Sequence, residues 1–271
     1  MKVAVAQFAP TEDKTANLRT AEGLVRQAAE RGARVVVLPE YTMFTAPRTD
    51  TRFVTAAEPL DGPFMTGLRG IARRLGLVVV AGVNESTSDP DLFTNRLVAL
   101  DERGELVASY QKLHLYDAFG ARESDVVRPG DIAAPETFTV DDTVFGLQTC
   151  YDLRFPEVTR RIVDAGADVL LMGAQWVPGP LKEDHWVTLL RARAIENTLY
   201  VAAAAQNAPT GAGRSMIVDP MGAPIASLAE ETGVAVGHVR QERTAEVRER
   251  NPALRVRRFA VTARPTNSTT G

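Results

Sequence analysis

The 271-residue chain has one cysteine, three histidines, no excess of either charge and no long apolar run. Each shortage excludes something. One cysteine cannot form an internal disulfide, which fits a reducing compartment and leaves Cys150 either a core thiol or a reagent. His114, His185 and His238 stand far apart, with none of the two- or four-residue spacings that a metal-binding hydrolase uses, so no metal is expected. With 31 Lys and Arg against 34 Asp and Glu, the formal net charge is −3. No general field then draws the protein to nucleic acid or an anionic membrane. The longest apolar runs, such as Leu77 to Val83, are too short to cross a bilayer. No glycine-rich phosphate loop follows the first strand, which argues against a dinucleotide enzyme and leaves no cofactor expected. The opening MKVAVAQF lacks the basic region, apolar core and cleavage site of a secretory signal, so the reading is cytoplasmic.

What remains is a composition of 45% hydrophobic and 24% charged residues, that of a soluble globular protein. Val- and Leu-rich runs at 2–8, 34–38, 77–83, 97–100, 144–149, 169–172 and 201–205 read as strands, most of them buried on both faces. Between them the period changes. Leu18, Ala21, Val25, Ala28 and Ala29 line one helical face, as do Phe64, Leu68, Ile71 and Leu75. Gly32, Gly76 and Gly166 stand just past helices, where a left-handed residue is usual, and the next strand starts within two residues. A further helix is expected over 182–198, then hairpin-like strands at 215–218 and 224–228. Residues 242–258 alternate in charge and read as a solvated helix and arm. The result is one α/β domain with mixed sheets over 1–260 and a flexible tail at 261–271.

Three ionisable residues stand where buried strands stop. Val35 to Leu38 run into Pro39, which ends the ladder, and Glu40 follows at the strand edge where open α/β sheets hold ligands. The strand 144–149 delivers Cys150, after which YDLRFPE opens a helix. Unpaired donors at that helix start are expected to favour the thiolate. Lys112 interrupts an apolar alternation over 110–117. A lysine there either snorkels to solvent or meets an acid inside. With Glu40 and Cys150 it completes the set that acyl transfer requires: base, cation and nucleophile.

The segments VLPE at 37–40, KLHL at 112–115 and CYDLRFPE at 150–157 resemble, in order and spacing, the Glu, Lys and Cys motifs of the nitrilase superfamily of carbon–nitrogen hydrolases. HWVTLLRARAIEN at 185–197, the AAAQ run ending at Gln206 and GRSMIVDPMG at 213–222 resemble its Nit-type amidase branch, which includes deaminated glutathione amidase and omega-amidase. The likeness spans residues 1 to 260. It implies a four-layer α-β-β-α sandwich, a homodimer or larger assembly, and hydrolysis of a small linear amide through a thioester. Cys150 is then the nucleophile, Glu40 the general base, Lys112 the oxyanion donor with the Tyr151 backbone N–H as second donor, and Glu123 a second glutamate that holds Lys112.

Arg154 is expected to fork onto a substrate carboxylate unless it pairs with a neighbouring acid. Trp176 is expected to form a pocket wall, or else to pack in the core. Arg214 and Met221 replace the branch's more usual His and Trp, and the interval from Lys112 to Glu123 is short. Both differences bear on substrate choice. Hydrolysis of N-carbamoyl amino acids is the alternative within the enzyme class, and a noncatalytic scaffold that keeps the fold is the alternative outside it.

Overall fold

Two six-stranded sheets lie face to face with helices on both outer surfaces, in a computed structural model that describes residues 1–264. Most of the tail expected at 261–271 therefore falls outside the described residues. In chain order the first half holds β1 (Lys2–Gln7), α1 (Lys14–Glu30), β2 (Val35–Val37), α2 (Thr51–Ala56), α3 (Pro63–Leu75), β3 (Val78–Ser86), β4 (Phe93–Leu100) and β5 (Leu106–Gln111). The second half holds β6 (Thr137–Val140), β7 (Thr143–Thr149), α4 (Pro156–Asp164), β8 (Val169–Ala174), α5 (Lys182–Asn197), β9 (Tyr200–Ala205), β10 (Met216–Val218), β11 (Pro224–Ser227), β12 (Gly233–His238) and α6 (Gln241–Arg250).

The strand orders are β12-β1-β2-β3-β4-β5 and β11-β10-β9-β8-β7-β6. Each sheet has a parallel centre, β1-β2-β3 in one and β7-β8-β9 in the other, flanked by antiparallel strands. The central strands read as unbroken apolar runs because both of their faces are covered. Val3, Val5, Val35 and Val37 meet Val169, Leu171, Ala202 and Ala204 between the sheets. The alternate residues, such as Ala4, Val36 and Leu170, face the outer helices. This is the four-layer arrangement expected from the resemblance.

The helix boundaries follow local chemistry. The Asp13 carboxylate caps α1 by accepting the N–H groups of Thr15 and Ala16. Pro63 starts α3, and Gly76 ends it at φ +65°, with Gly32 and Gly166 left-handed in the same way. Residues 242–258 are less detached than a solvated arm. Arg243 pairs with Asp219 and Arg248 with Asp168, which ties α6 to the second sheet. No helix among the described residues is long and apolar enough to cross a membrane.

The candidate active site

Glu40 comes just beyond β2, after Leu38 and Pro39, and Lys112 and Cys150 directly follow β5 and β7. The first two strands belong to one sheet and the third to the other, so stacking the sheets brings the three segments to one cavity of about 880 Å³. Glu123, Tyr151, Arg154 and Trp176 line the same cavity. All seven residues singled out in the sequence are thus brought together.

Two glycines let the Glu40 backbone into this space. A Cβ at Gly82 of β3 would lie 2.5 Å from Tyr41 N and 2.6 Å from Glu40 Cα, and one at Gly173 of β8 would lie 2.9 Å from Glu40 N. Only a residue without a side chain permits so close an approach. The chain then turns at Tyr41, whose φ of 56° is left-handed.

Lys112 meets acids inside. It is 2% exposed, with Nζ 3.0 Å from Glu40 Oε1 and 2.9 Å from both oxygens of Glu123. Burial by itself lowers the lysine's affinity for its proton, but the charges of Glu123 and Glu40 outweigh it and hold the ammonium well above its ordinary range. Burial likewise raises the Glu123 carboxyl. The Lys112 charge, with hydrogen bonds from Lys112, from Tyr41 Oη at 2.6 Å and from the Tyr116 N–H at 2.6 Å, brings it below its usual value.

Glu40 is 1% exposed, and its other partners are the Asn95 amide at 2.7 Å and the Gln175 N–H at 2.5 Å. Asn95 and Tyr41 were not singled out in the sequence. Asn95 gave one signal, a polar residue within an otherwise apolar strand, directly opposite Asn84 in the β3–β4 register. Tyr41 gave none, because nothing local says that its hydroxyl reaches Glu123.

The nucleophile's surroundings differ from the sequence expectation in two ways. Residues 150–154 form a short 3-10 turn, and α4 begins only at Pro156, so Arg154 ends that turn rather than starting the α-helix. The thiol is also not favoured as thiolate. Burial first, then the charge and hydrogen bonding of Glu40, push Cys150 well above its ordinary value, with only Lys112 opposing. A short turn offers too little dipole to offset removal from water. Cys150 itself is left-handed at φ 43°, and its Sγ faces the Gln175 carbonyl at 3.6 Å. At the first turn the Tyr151 N–H has no carbonyl within the turn to donate to.

Asp152 fastens this turn to the lysine segment. Fully buried, it accepts the Tyr110 hydroxyl at 2.7 Å and the His114 N–H at 2.9 Å, and it meets His114 Nδ1 at 2.7 Å. His114 in turn stacks on Phe155, with ring centroids 3.6 Å apart.

Arg154 meets no carboxylate within 4 Å among the described residues. Its guanidinium lies 4.9 Å from the Trp176 ring centroid and its Nη2 3.4 Å from His185 Nδ1. Trp176 is both wall and core. It borders the cavity, packs on Trp186 at 5.2 Å and donates Nε1–H to the Lys182 carbonyl. Among the described residues no group of three or more His, Cys, Asp or Glu is placed to hold a metal ion.

Comparison with known proteins agrees with this geometry. The carbon-nitrogen hydrolase family profile matches residues 2–249. The deaminated glutathione amidase of Escherichia coli O157:H7 is 40% identical over 260 residues, which cover 96% of this chain and 98% of that protein. Among solved structures, the C. elegans NitFhit protein superposes with a TM-score of 0.85 at 30% identity. The match covers 95% of this chain but 65% of NitFhit, so the chain spans slightly under two thirds of that longer protein.

A variant of the amidase from Nesterenkonia sp. AN1 carries the acetamide moiety of fluoroacetamide on its active-site cysteine. It superposes with a TM-score of 0.81 at 27% identity, covering 95% of this chain and 94% of that one. The sandwich, the order of the three strand-end segments and a match over nearly the whole length lead to one assignment: the chain belongs to the carbon-nitrogen hydrolase family of the nitrilase superfamily.

Proposed function

We propose that the protein hydrolyses a small linear, carboxylate-bearing amide, releasing ammonia through a thioester on Cys150. The observation that carries this reading is the sharing of one buried ammonium, Lys112, by Glu40 and Glu123 on the wall that also presents Cys150. An unstrained amide needs a nucleophile stronger than water, a place for negative charge on its oxygen and a proton for the departing amine.

Cys150 supplies the sulfur. As Sγ adds to the carbonyl carbon, Glu40 takes the thiol proton, so the thiol can be neutral at rest and still react. The carboxyl is then neutral and a weaker acceptor, which frees a Lys112 N–H for the oxyanion. The Tyr151 N–H is the second donor, and one such donor is worth about 2.7–4 kcal/mol in the transition state. Collapse of the tetrahedral adduct breaks the C–N bond, and Glu40 returns its proton to the leaving nitrogen. Glu40 next deprotonates water for attack on the thioester. The acid leaves and the sulfur regains its proton.

Glu123 keeps Lys112 charged and in place. Arg154, with no acid partner, takes the substrate carboxylate against the Trp176 wall. By the same likeness we propose that residues 1–260 work as one catalytic domain in a homodimer or larger assembly in the cytoplasm.

The test is a panel read by the leaving group each substrate gives: ammonia from omega-amides and N-carbamoyl amino acids, and the freed amine from deaminated glutathione. Turnover that Cys150→Ala abolishes supports the reading. Carbon dioxide released with the ammonia would instead identify an N-carbamoyl substrate, and silence across the panel with an unreactive Cys150 would favour a scaffold.

A further inference from the structure

Lys182 opens α5 on the cavity wall and is 6% exposed, yet no carboxylate oxygen lies within 4 Å of it among the described residues. Its Nζ donates to Tyr116 Oη at 2.9 Å. Otherwise it lies among rings: Phe119 at 4.5 Å, Tyr116 at 4.8 Å and Trp176 at 5.5 Å from their centroids. Lysine has three donors, and rings attract the charge without accepting all of those N–H groups. A buried ammonium without an acid is costly. Arg154 repeats the pattern on the same tryptophan, at 4.9 Å, and its Nε is buried without a partner. The cavity therefore presents one buried cation, Lys182, and one half-buried cation, Arg154, that no acid of the described residues neutralises. The site's own carboxylates, Glu40 and Glu123, are already committed to Lys112.

We infer that Lys182 is a second anion-binding residue beside Arg154, and that the preferred substrate is an amide carrying two carboxylates, one for each cation. This rests on the amidase reading and narrows it from one carboxylate to two. A neutral amide would leave both the buried Lys182 and the half-buried Arg154 without a counter-charge, and a monoanion would leave one of them so. Discrimination then arises from the charge left without a partner as much as from the ion pair that the second carboxylate forms.

The experiment compares kcat/KM for a dianionic and a monoanionic linear amide in the wild type, Lys182→Met and Lys182→Arg. Lys182→Met keeps the stem among the rings and removes the charge. The dianion-to-monoanion preference is expected to fall about tenfold in Lys182→Met, in KM more than in kcat, and to return in part in Lys182→Arg. An unchanged preference in a Lys182→Met protein that melts like the wild type would overturn the inference, since a lysine that merely fills the cage gives that result. Binding of glutarate against butyrate to Cys150→Ala, measured by calorimetry, tests the cations without turnover. If no amide is hydrolysed yet glutarate binds more tightly and loses that advantage in Lys182→Met/Cys150→Ala, the amidase reading fails and the anion site stands. Equal binding of the two acids sinks the anion site alone.

Discussion

Glu40 and Cys150 are joined through the backbone of one residue: the Gln175 N–H donates to Glu40 Oε2 at 2.5 Å, and the Gln175 carbonyl faces Cys150 Sγ at 3.6 Å. Gln175 follows β8, the neighbour of β7 that delivers the cysteine. The second sheet thus helps fix the base that the first sheet supplies: main chain holds Oε2 of the carboxylate, while the Asn95 and Lys112 side chains hold Oε1. A neutral thiol can donate to that carbonyl. A thiolate would face an oxygen of like polarity.

The close packing at Gly82 and Gly173 should therefore be as important as the ionisable groups. Gly82→Ala places a methyl 2.6 Å from Glu40 Cα. The expected cost is about 1–3 kcal/mol of stability. Displacement of Glu40 should lower kcat by about a hundredfold. Urea melts and steady-state kinetics on the same preparation check both, and an unaltered kcat would show that Glu40 tolerates movement.

Removing the shared cation gives a different signature. Lys112→Met leaves Glu40 and Glu123 buried without their counter-charge, so one carboxyl must rise well above its unfolded pKa. A raised folded pKa favours the protonated folded protein, and the stability deficit at neutral pH should shrink as pH falls toward about 5. The kcat loss is expected to be about 10²–10³. Thermal midpoints at several pH values provide the check. A deficit that does not change with pH would mean the two acids are not left in repulsion.

In the intact protein the sign is opposite. The Glu123 carboxyl is held below its ordinary value, so its contribution is present above the unfolded pKa of about 4.3 and disappears as pH falls through the lower folded value. Glu123→Gln should flatten the acid limb of the stability curve. It should also slow turnover by loosening Lys112. An acid limb identical to the wild type would assign that limb to other groups.

Cys150 should label slowly. With burial and Glu40 holding the thiol up, a disulfide reagent at pH 7 is expected to modify the native protein more slowly than the urea-unfolded chain, whose thiol titrates near about 8.5. The native rate should climb only at higher pH. A rate in the native protein above that of the unfolded chain at pH 7 would restore the thiolate expected from the strand-to-helix position.

The sequence alone determined the buried parallel strands and the helices between them, because a strand covered on both faces must be apolar throughout and a helix on a sheet must carry one apolar stripe. It also determined that Glu40, Lys112 and Cys150 stand at strand ends, since chain position settles that. Edge strands were less legible. β5 and β6 are half exposed, and β12 sits at a sheet edge against β1, so their apolar signal is weak.

Only the tertiary structure decided who meets whom. The two acids on Lys112, the Asn95 and Tyr41 contacts, the neutral thiol and the unpaired Lys182 all depend on side-chain ends brought together from far apart in the chain. Local periodicity reports which face of an element is buried. The distance between charged groups across two stacked sheets, and the water excluded from around them, arise only when those sheets close.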